Sequence, residues 1–421
     1  MSAGRLQLPT AHISVPPGCA YPLAAFNFLV AAVQTGFGPF IGVALIHGGW
    51  NQAQIGLALS AGTAAALVLQ LPGGALVDAV HSKKLVLAVA MSVTGVTAVM
   101  TATMAQLVPI IGAQVLHAAA AVVITPAIAA LTMTICGKAA FSAVLGSNTR
   151  WASLGSASAA LLFGALGSRF SPFAVFAATA ALCIPAIVVL QPIRSAAEPE
   201  EHPALLHPVA RRHAGHRFWR IYLHMHLHGF AVCVLLFAVA NAAMLVLAVN
   251  ALAARHESNG FTVSGAILVS QLVAAALSPA LGRAAERHGR RPILLLGFAA
   301  LPLRGLLLAV VPGSWPLVAV QALDGVSGAV MGIMIPLIAA DLTRRTAFLN
   351  LAINSLALAS GLGATVSTLA GGWLADRLGV TPALLCLAAI GLLATALVWR
   401  ILPETRPHQQ PAQPTAAVDL P

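Results

Sequence analysis

Continuous apolar runs, about a dozen of them and each about 20 residues long, follow one another from Tyr21 to Leu402 with short polar breaks between them. At about 1.5 Å of rise per residue, a helix of that length spans about 30 Å, the thickness of bilayer hydrocarbon. Lipid offers the backbone no hydrogen bonds, so a spanning segment is either a helix or a strand of a closed barrel. Barrel strands alternate apolar and polar residues, and these runs do not alternate. Only 8% of residues are charged and the mean hydropathy is +0.90, whereas soluble domains are about 25% charged. The expectation is an all-α membrane protein with 12 transmembrane helices.

The net charge of +11 raises the question of nucleic acid, but in a membrane protein basic residues first report topology, because they gather on the cytoplasmic side. Placing both termini inside puts 17 of the 22 Lys and Arg residues in cytoplasmic loops and tails. Arg169, Arg255 and Arg377 fall outside, and Arg150 and Arg304 lie near or within spans. This predicts a multi-pass protein of the inner (plasma) membrane with both ends cytoplasmic and no nucleic-acid partner. The five cysteines (Cys19, Cys136, Cys183, Cys233, Cys386) form no close-spaced metal or redox motif and read as small apolar residues.

In order, the chain divides into a cytoplasmic tail (1–20), a six-helix bundle (21–191), a polar linker (192–220), a second six-helix bundle (221–403) and a Pro- and Gln-rich tail (404–421) expected to be disordered. The first helix, about 21–46, carries Asn27, Gln34, Gly36, Gly38 and Pro39. Such residues line a cavity or bond a neighbouring helix, and both readings are open. The fourth helix, about 108–133, contains Gln114, His117 and Pro126; the fifth, about 151–167, is rich in Gly and Ser, as a sliding or tightly packed surface requires. Asn241 lies in the seventh helix, and Gly361, Gly363, Gly371 and Gly372 in the eleventh. The linker and the start of the seventh helix hold His202, His207, His213, His216, His224, His226 and His228. Without Cys or close carboxylates these fit a weakly basic linker better than a metal site.

Two loops repeat. Gly74 and Asp78 followed by Lys83 and Lys84 are mirrored by Gly282 and Glu286 followed by Arg287, Gly289, Arg290 and Arg291. The second copy resembles the loop signature of the major facilitator superfamily: glycine, three residues, acid, basic, any residue, glycine, two basics. In the first copy Ala79 replaces a basic residue and the lysines arrive one position late. QTGFGP (Gln34–Pro39), TPAIAALT (Thr125–Thr132), NAAML (Asn241–Leu245), QALDG (Gln321–Gly325) and ADLT (Ala340–Thr343) look like segments of a bacterial branch of that family with mostly unassigned substrates. The resemblance implies two pseudo-symmetric bundles of six helices, with these loops clamping the halves together on the cytoplasmic side through acids that face a neighbouring helix N-terminus. Relatives often carry an acid where this chain has Ala32, so a proton site is not carried over onto the first helix.

Of the 11 acids, Asp324 alone lies deep in a span, and Arg304 lies at similar depth on the preceding helix. An isolated charge in hydrocarbon is costly, so the two are expected to pair. Whether the pair only neutralises itself or Asp324 exchanges a proton stays open. Gln114-Val-Leu-His117 aligns with Gln321-Ala-Leu-Asp324, placing His117 at the position equivalent to Asp324. No phosphate loop and no nucleophile–base arrangement is present, so neither an enzyme, nor ATP-driven transport, nor any cofactor is expected. The functional reading is a monomeric secondary transporter in the lipid bilayer, proton-coupled, exporting a small organic or amphipathic substrate. Its rivals are a metal-ion exporter using the histidine-rich linker and a non-transporting membrane scaffold or sensor.

Overall fold

The computed structural model describes residues 17–37, 40–50, 52–104, 106–193, 225–254, 260–310, 313–343 and 348–404. Most of the expected N-terminal tail, most of the linker with His202, His207, His213, His216 and His224, Arg255, and the tail beyond Glu404 lie outside those residues.

The helices are α1 (Pro17–Gly36), α2 (Phe40–His47), α3 (Gln52–Ala79), α4 (Lys83–Thr103), α5 (Leu107–Arg169), α6 (Pro172–Leu190), α7 (Met225–Asn241), α8 (Met244–Ala254), α9 (Gly260–His288), α10 (Arg290–Val310), α11 (Ser314–Leu342), α12 (Leu349–Leu378) and α13 (Val380–Ile401). Ten helices among the described residues are long and apolar enough to cross a membrane. Twelve passages result once α1 with α2, and α7 with α8, are each taken as one interrupted span and α5 as two. The α5 rod turns at Gly137, whose φ of 65° is a left-handed conformation that costs glycine little.

The second arm of α5 is longer than the hydropathy suggests. Polar residues between 138 and 150 make that stretch read as a loop, but it is helical, because Ser142, Gly146 and Asn148 are buried against protein rather than lipid. Only the first of the two interrupted spans is marked locally in the sequence. The first breaks around Phe37, next to Gly38 and Pro39; Phe37 N donates to Gln34 O at 3.2 Å. The second breaks at Ala242–Ala243 without any proline, and the freed Ala243 amide donates to Ser367 Oγ at 3.0 Å.

Each half has its own apolar core. In the first, Phe26 and Val33 of α1 pack with Leu87 and Met91 of α4, Leu131 of α5 and Cys183 of α6. In the second, Phe230 and Phe237 of α7 pack with Phe298 of α10, Met334 of α11, Leu356 of α12 and Val398 of α13. Phe141 and Leu145 of α5 join that second core, so part of the seam between the halves is apolar. Outward-facing side chains such as Val68, Leu161, Val188, Leu369 and Leu392 are exposed, as lipid contact allows.

Candidate functional site

Midway along the second half, α10 and α11 bring the deep charges together. Arg304 Nη1 lies 2.7 Å from Asp324 Oδ1, and Arg304 is 2% exposed while the Asp324 side chain is 27% exposed. The same Nη1 donates to Asn241 Oδ1 at the end of α7, and Nη2 donates to Gln321 Oε1 at 2.7 Å. Gln321 Nε2 in turn donates to Leu317 O at 3.3 Å, which fixes the amide with its oxygen toward the guanidinium. Ser270 Oγ of α9 donates to Asp324 Oδ2 at 2.8 Å. Four helices thus meet on one neutral ion pair, with its acid on the accessible side and its base sealed. Taking the negative charge away would leave a guanidinium without its counter-ion in a dry setting, a state costing several kcal/mol or about that order. The arrangement therefore has a strong physical response to a proton on Asp324.

The candidates of the first half do not join this network. Asn27 Nδ2 donates within its own helix to Leu23 O at 2.8 Å, rather than to a neighbour. His117 stacks on Phe37 with ring centroids 3.7 Å apart, and its Nδ1 and Gln114 Nε2 are buried without hydrogen-bond partners. Gln34, on α1, ends its span with a backbone turn at Phe37. The repeat places His117 and Asp324 at equivalent register, but their surroundings differ completely.

The second constellation lies on the face where α3, α9 and α13 end. Asp78 of α3 accepts from Asn350 N at 3.1 Å, Asn350 Nδ2 at 2.6 Å and Leu351 N at 2.9 Å. Those amides belong to the first turn of α12, where N–H groups lack partners in their own helix and the helix dipole favours an anion. Gly74, one turn earlier, lets the two backbones touch: a Cβ there would stand 2.7 Å from Asn350 O and 2.9 Å from Leu351 Cα. At the equivalent place, Glu286 Oε1 accepts from Ser142 Oγ of α5 at 2.7 Å. A Cβ on Gly282 would stand 2.5 Å from Ser142 O. Both acids therefore bridge the halves.

Lys83, Lys84, Arg290 and Arg291 act differently: each holds its own half. Lys83 Nζ donates to Val77 O at 2.7 Å and to Val80 O, and Lys84 Nζ to Gln191 O at 3.0 Å and Ile193 O at 2.7 Å. Arg290 pairs with Asp341 at 3.0 Å and donates to Ala285 O at 2.7 Å, and Arg291 reaches Trp399 O. Glu404, just past α13, accepts from the Arg290 and Arg291 amides at 2.7 and 3.1 Å and caps α10. Gly289, at φ 97°, gives it room. Sequence reasoning missed Ser270, Asn350, Asn354 and Glu404. Glu404 could have been found as an acid at a helix exit on the side of the basic loops. Ser270 and the two asparagines carry no such mark. Among the described residues no three His, Cys, Asp or Glu side chains gather as a metal site would need.

A family model described as Major Facilitator Superfamily matches residues 23–270 and 230–420. An uncharacterized MFS-type transporter of Mycobacterium tuberculosis, found in two strains, is 35% identical over 401 residues, covering 93% of this chain and 95% of its own. The fold is similar to the crystal structure of FucP, an MFS transporter in the outward conformation (TM-score 0.70, 14% identity, 90% of this chain and 97% of that one). It is also similar to the human organic anion transporter MFSD10 (TETRAN) (TM-score 0.68, 14% identity, 91% and 100%). Family match, relatives and fold agree: the chain belongs to the major facilitator superfamily of membrane transporters.

Proposed function

We propose that this transporter is a proton-coupled secondary carrier of the inner membrane, with both termini cytoplasmic, that works by alternating access and exports a small organic or amphipathic compound. The observation that carries the reading is the asymmetric pair at membrane depth: Arg304 is sealed at 2% exposure while its partner Asp324 stays 27% exposed. A proton reaching Asp324 cancels the charge that holds Arg304, and Arg304 touches α7 through Asn241 and α11 through Gln321. One protonation thereby loosens several helices of the second half at once. The Asp78 and Glu286 bridges hold the halves together on the face that carries the basic loops, which corresponds to the state closed to the cytoplasm. With the deep charges of the described residues, Arg304 and Asp324, already paired, the interior suits weakly polar cargo and disfavours ions, and this supports an organic compound over a metal ion.

The test is transport in proteoliposomes with an imposed pH gradient, using a panel of amphipathic compounds. Asp324→Asn is expected to lower folded yield by leaving Arg304 without its anion, and Asp324→Asn with Arg304→Leu to restore yield but not gradient-driven transport. Compound exchange without a gradient should survive in the double variant. Full gradient-driven transport by the double variant would remove the proton role of Asp324 and leave the pair as self-neutralising structure.

A further inference from the structure

Pro126 interrupts the first arm of α5. Having no N–H, a proline leaves the carbonyl four residues earlier without its helical donor, and here that carbonyl belongs to Val122. A buried carbonyl with no donor is costly, all the more in a membrane where water cannot serve. The donor comes from the other half of the molecule: Asn354 Nδ2 of α12 lies 3.1 Å from Val122 O.

The surroundings fit this one contact. Asn354 is 1% exposed. Gln70 Nε2 of α3 approaches Asn354 Oδ1 at 3.5 Å, which turns the amide so that its N–H groups face Val122. Gly73 clears the approach, since a Cβ there would stand 3.0 Å from Val122 Cγ2 and 3.5 Å from Asn354 Nδ2. Asn354 also lies one turn beyond Asn350, the residue gripped by Asp78. A second proline offers a control. Pro336 of α11, three residues off the register that aligns His117 with Asp324, frees Gly332 O in the same way, and the residue from the other half beside it is Thr149. The Thr149 hydroxyl donates to Leu145 O in its own helix at 2.9 Å and does not reach across.

We propose that Asn354 is a positioning residue of the transport cycle, a donor from the second half that plugs the carbonyl gap opened by Pro126 in the first half and so favours the state in which the basic face is closed. The inference rests on alternating access. When the halves part on that face, Val122 O and Asn354 Nδ2 lose each other together, and both turn toward the space between the halves.

The experiment uses spin labels at Gln191 and Arg400, exposed positions at the ends of α6 and α13 in opposite halves, and reads the label separation in lipid nanodiscs. Asn354→Leu is expected to raise the population of the longer separation about fivefold, the worth of one neutral hydrogen bond. In a Pro126→Ala background, where residue 126 again has an N–H for Val122 O, the same change should shift the population less than twofold. Equal shifts in both backgrounds, or no shift in either, would overturn the plug. Should Pro126→Ala not yield folded protein, Asn354→Ala decides: it has no donor of any kind and differs from leucine in bulk, so a parental distribution overturns the plug and a shift matching Asn354→Leu supports it. If no proton gradient and no Asp78→Ala change moves the labels, alternating access is what fails. The plug is then judged by thermal denaturation in detergent, supported if Asn354→Leu lowers the midpoint only when Pro126 is present and overturned if the loss is the same without it.

Discussion

Asp78 and Glu286 occupy equivalent points of the internal repeat, yet they are held very unequally. Among the described residues Asp78 meets three donors, two of them backbone amides at the open start of α12, whereas Glu286 meets the single hydroxyl of Ser142. The loop that follows the family signature more closely is the one with the lighter grip. A signature describes residue types, while the strength of a bridge depends on what the other half presents to it. A helix start offers fixed, unpartnered N–H groups; a serine in mid-helix offers one rotatable O–H. The glycines, by contrast, are matched: Gly74 and Gly282 both let backbone touch backbone across the seam.

This comparison is sharpest at Asp78. Asp78→Ala is expected to weaken the closed basic face by about 3 kcal/mol, roughly a hundredfold in the balance between closed and open, since three charge-assisted bonds are lost together. Label separations between Gln191 and Arg400 would measure it, and a shift under tenfold would break the ranking. Next come Gly74→Ala and Gly282→Ala, each expected to cost the closed state about 1–3 kcal/mol because the new methyl meets rigid backbone. Near-equal losses, read by cross-linking of cysteines placed over the seam, would show that the halves differ in their polar grip and not in their steric fit. Glu286→Gln should cost only about 1 kcal/mol, as Ser142 can still donate to the amide oxygen; a loss equal to that of Asp78→Ala would remove the distinction. The smallest effect is expected from Lys84→Met. Its carbonyl partners belong to its own half, so thermal stability should fall slightly, within about 0.5 kcal/mol, while the label separation stays at the parental value.

The spans were legible because hydropathy reports the solvent of a segment directly. It failed at residues 138–150, where Ser142 bonds Glu286 across the seam and Asn148 bonds Thr132 within its own half. Depth counting found the Arg304–Asp324 pair, since one acid and one base in hydrocarbon have little choice of partner. The break before Met244 was not legible: no proline or glycine marks it, and its amide is satisfied by Ser367, 124 positions away. Register symmetry also misled in part. His117 shares the position of Asp324 but stacks on Phe37, because the repeat preserves backbone placement and leaves each half free to choose its neighbours. Pro126 announces that Val122 O needs a donor; nothing in the order of residues says the donor is Asn354.

The cap that Glu404 places on α10 bears on how this protein is best trimmed and tagged. A protein chemist shortening the Pro- and Gln-rich tail would be tempted to stop at the last helical residue, Ile401. That cut removes the carboxylate held by the Arg290 and Arg291 amides, and the signature loop would lose one of its anchors while every membrane span stayed intact. Shortened versions should keep Glu404, and a fusion partner is better joined some residues beyond it.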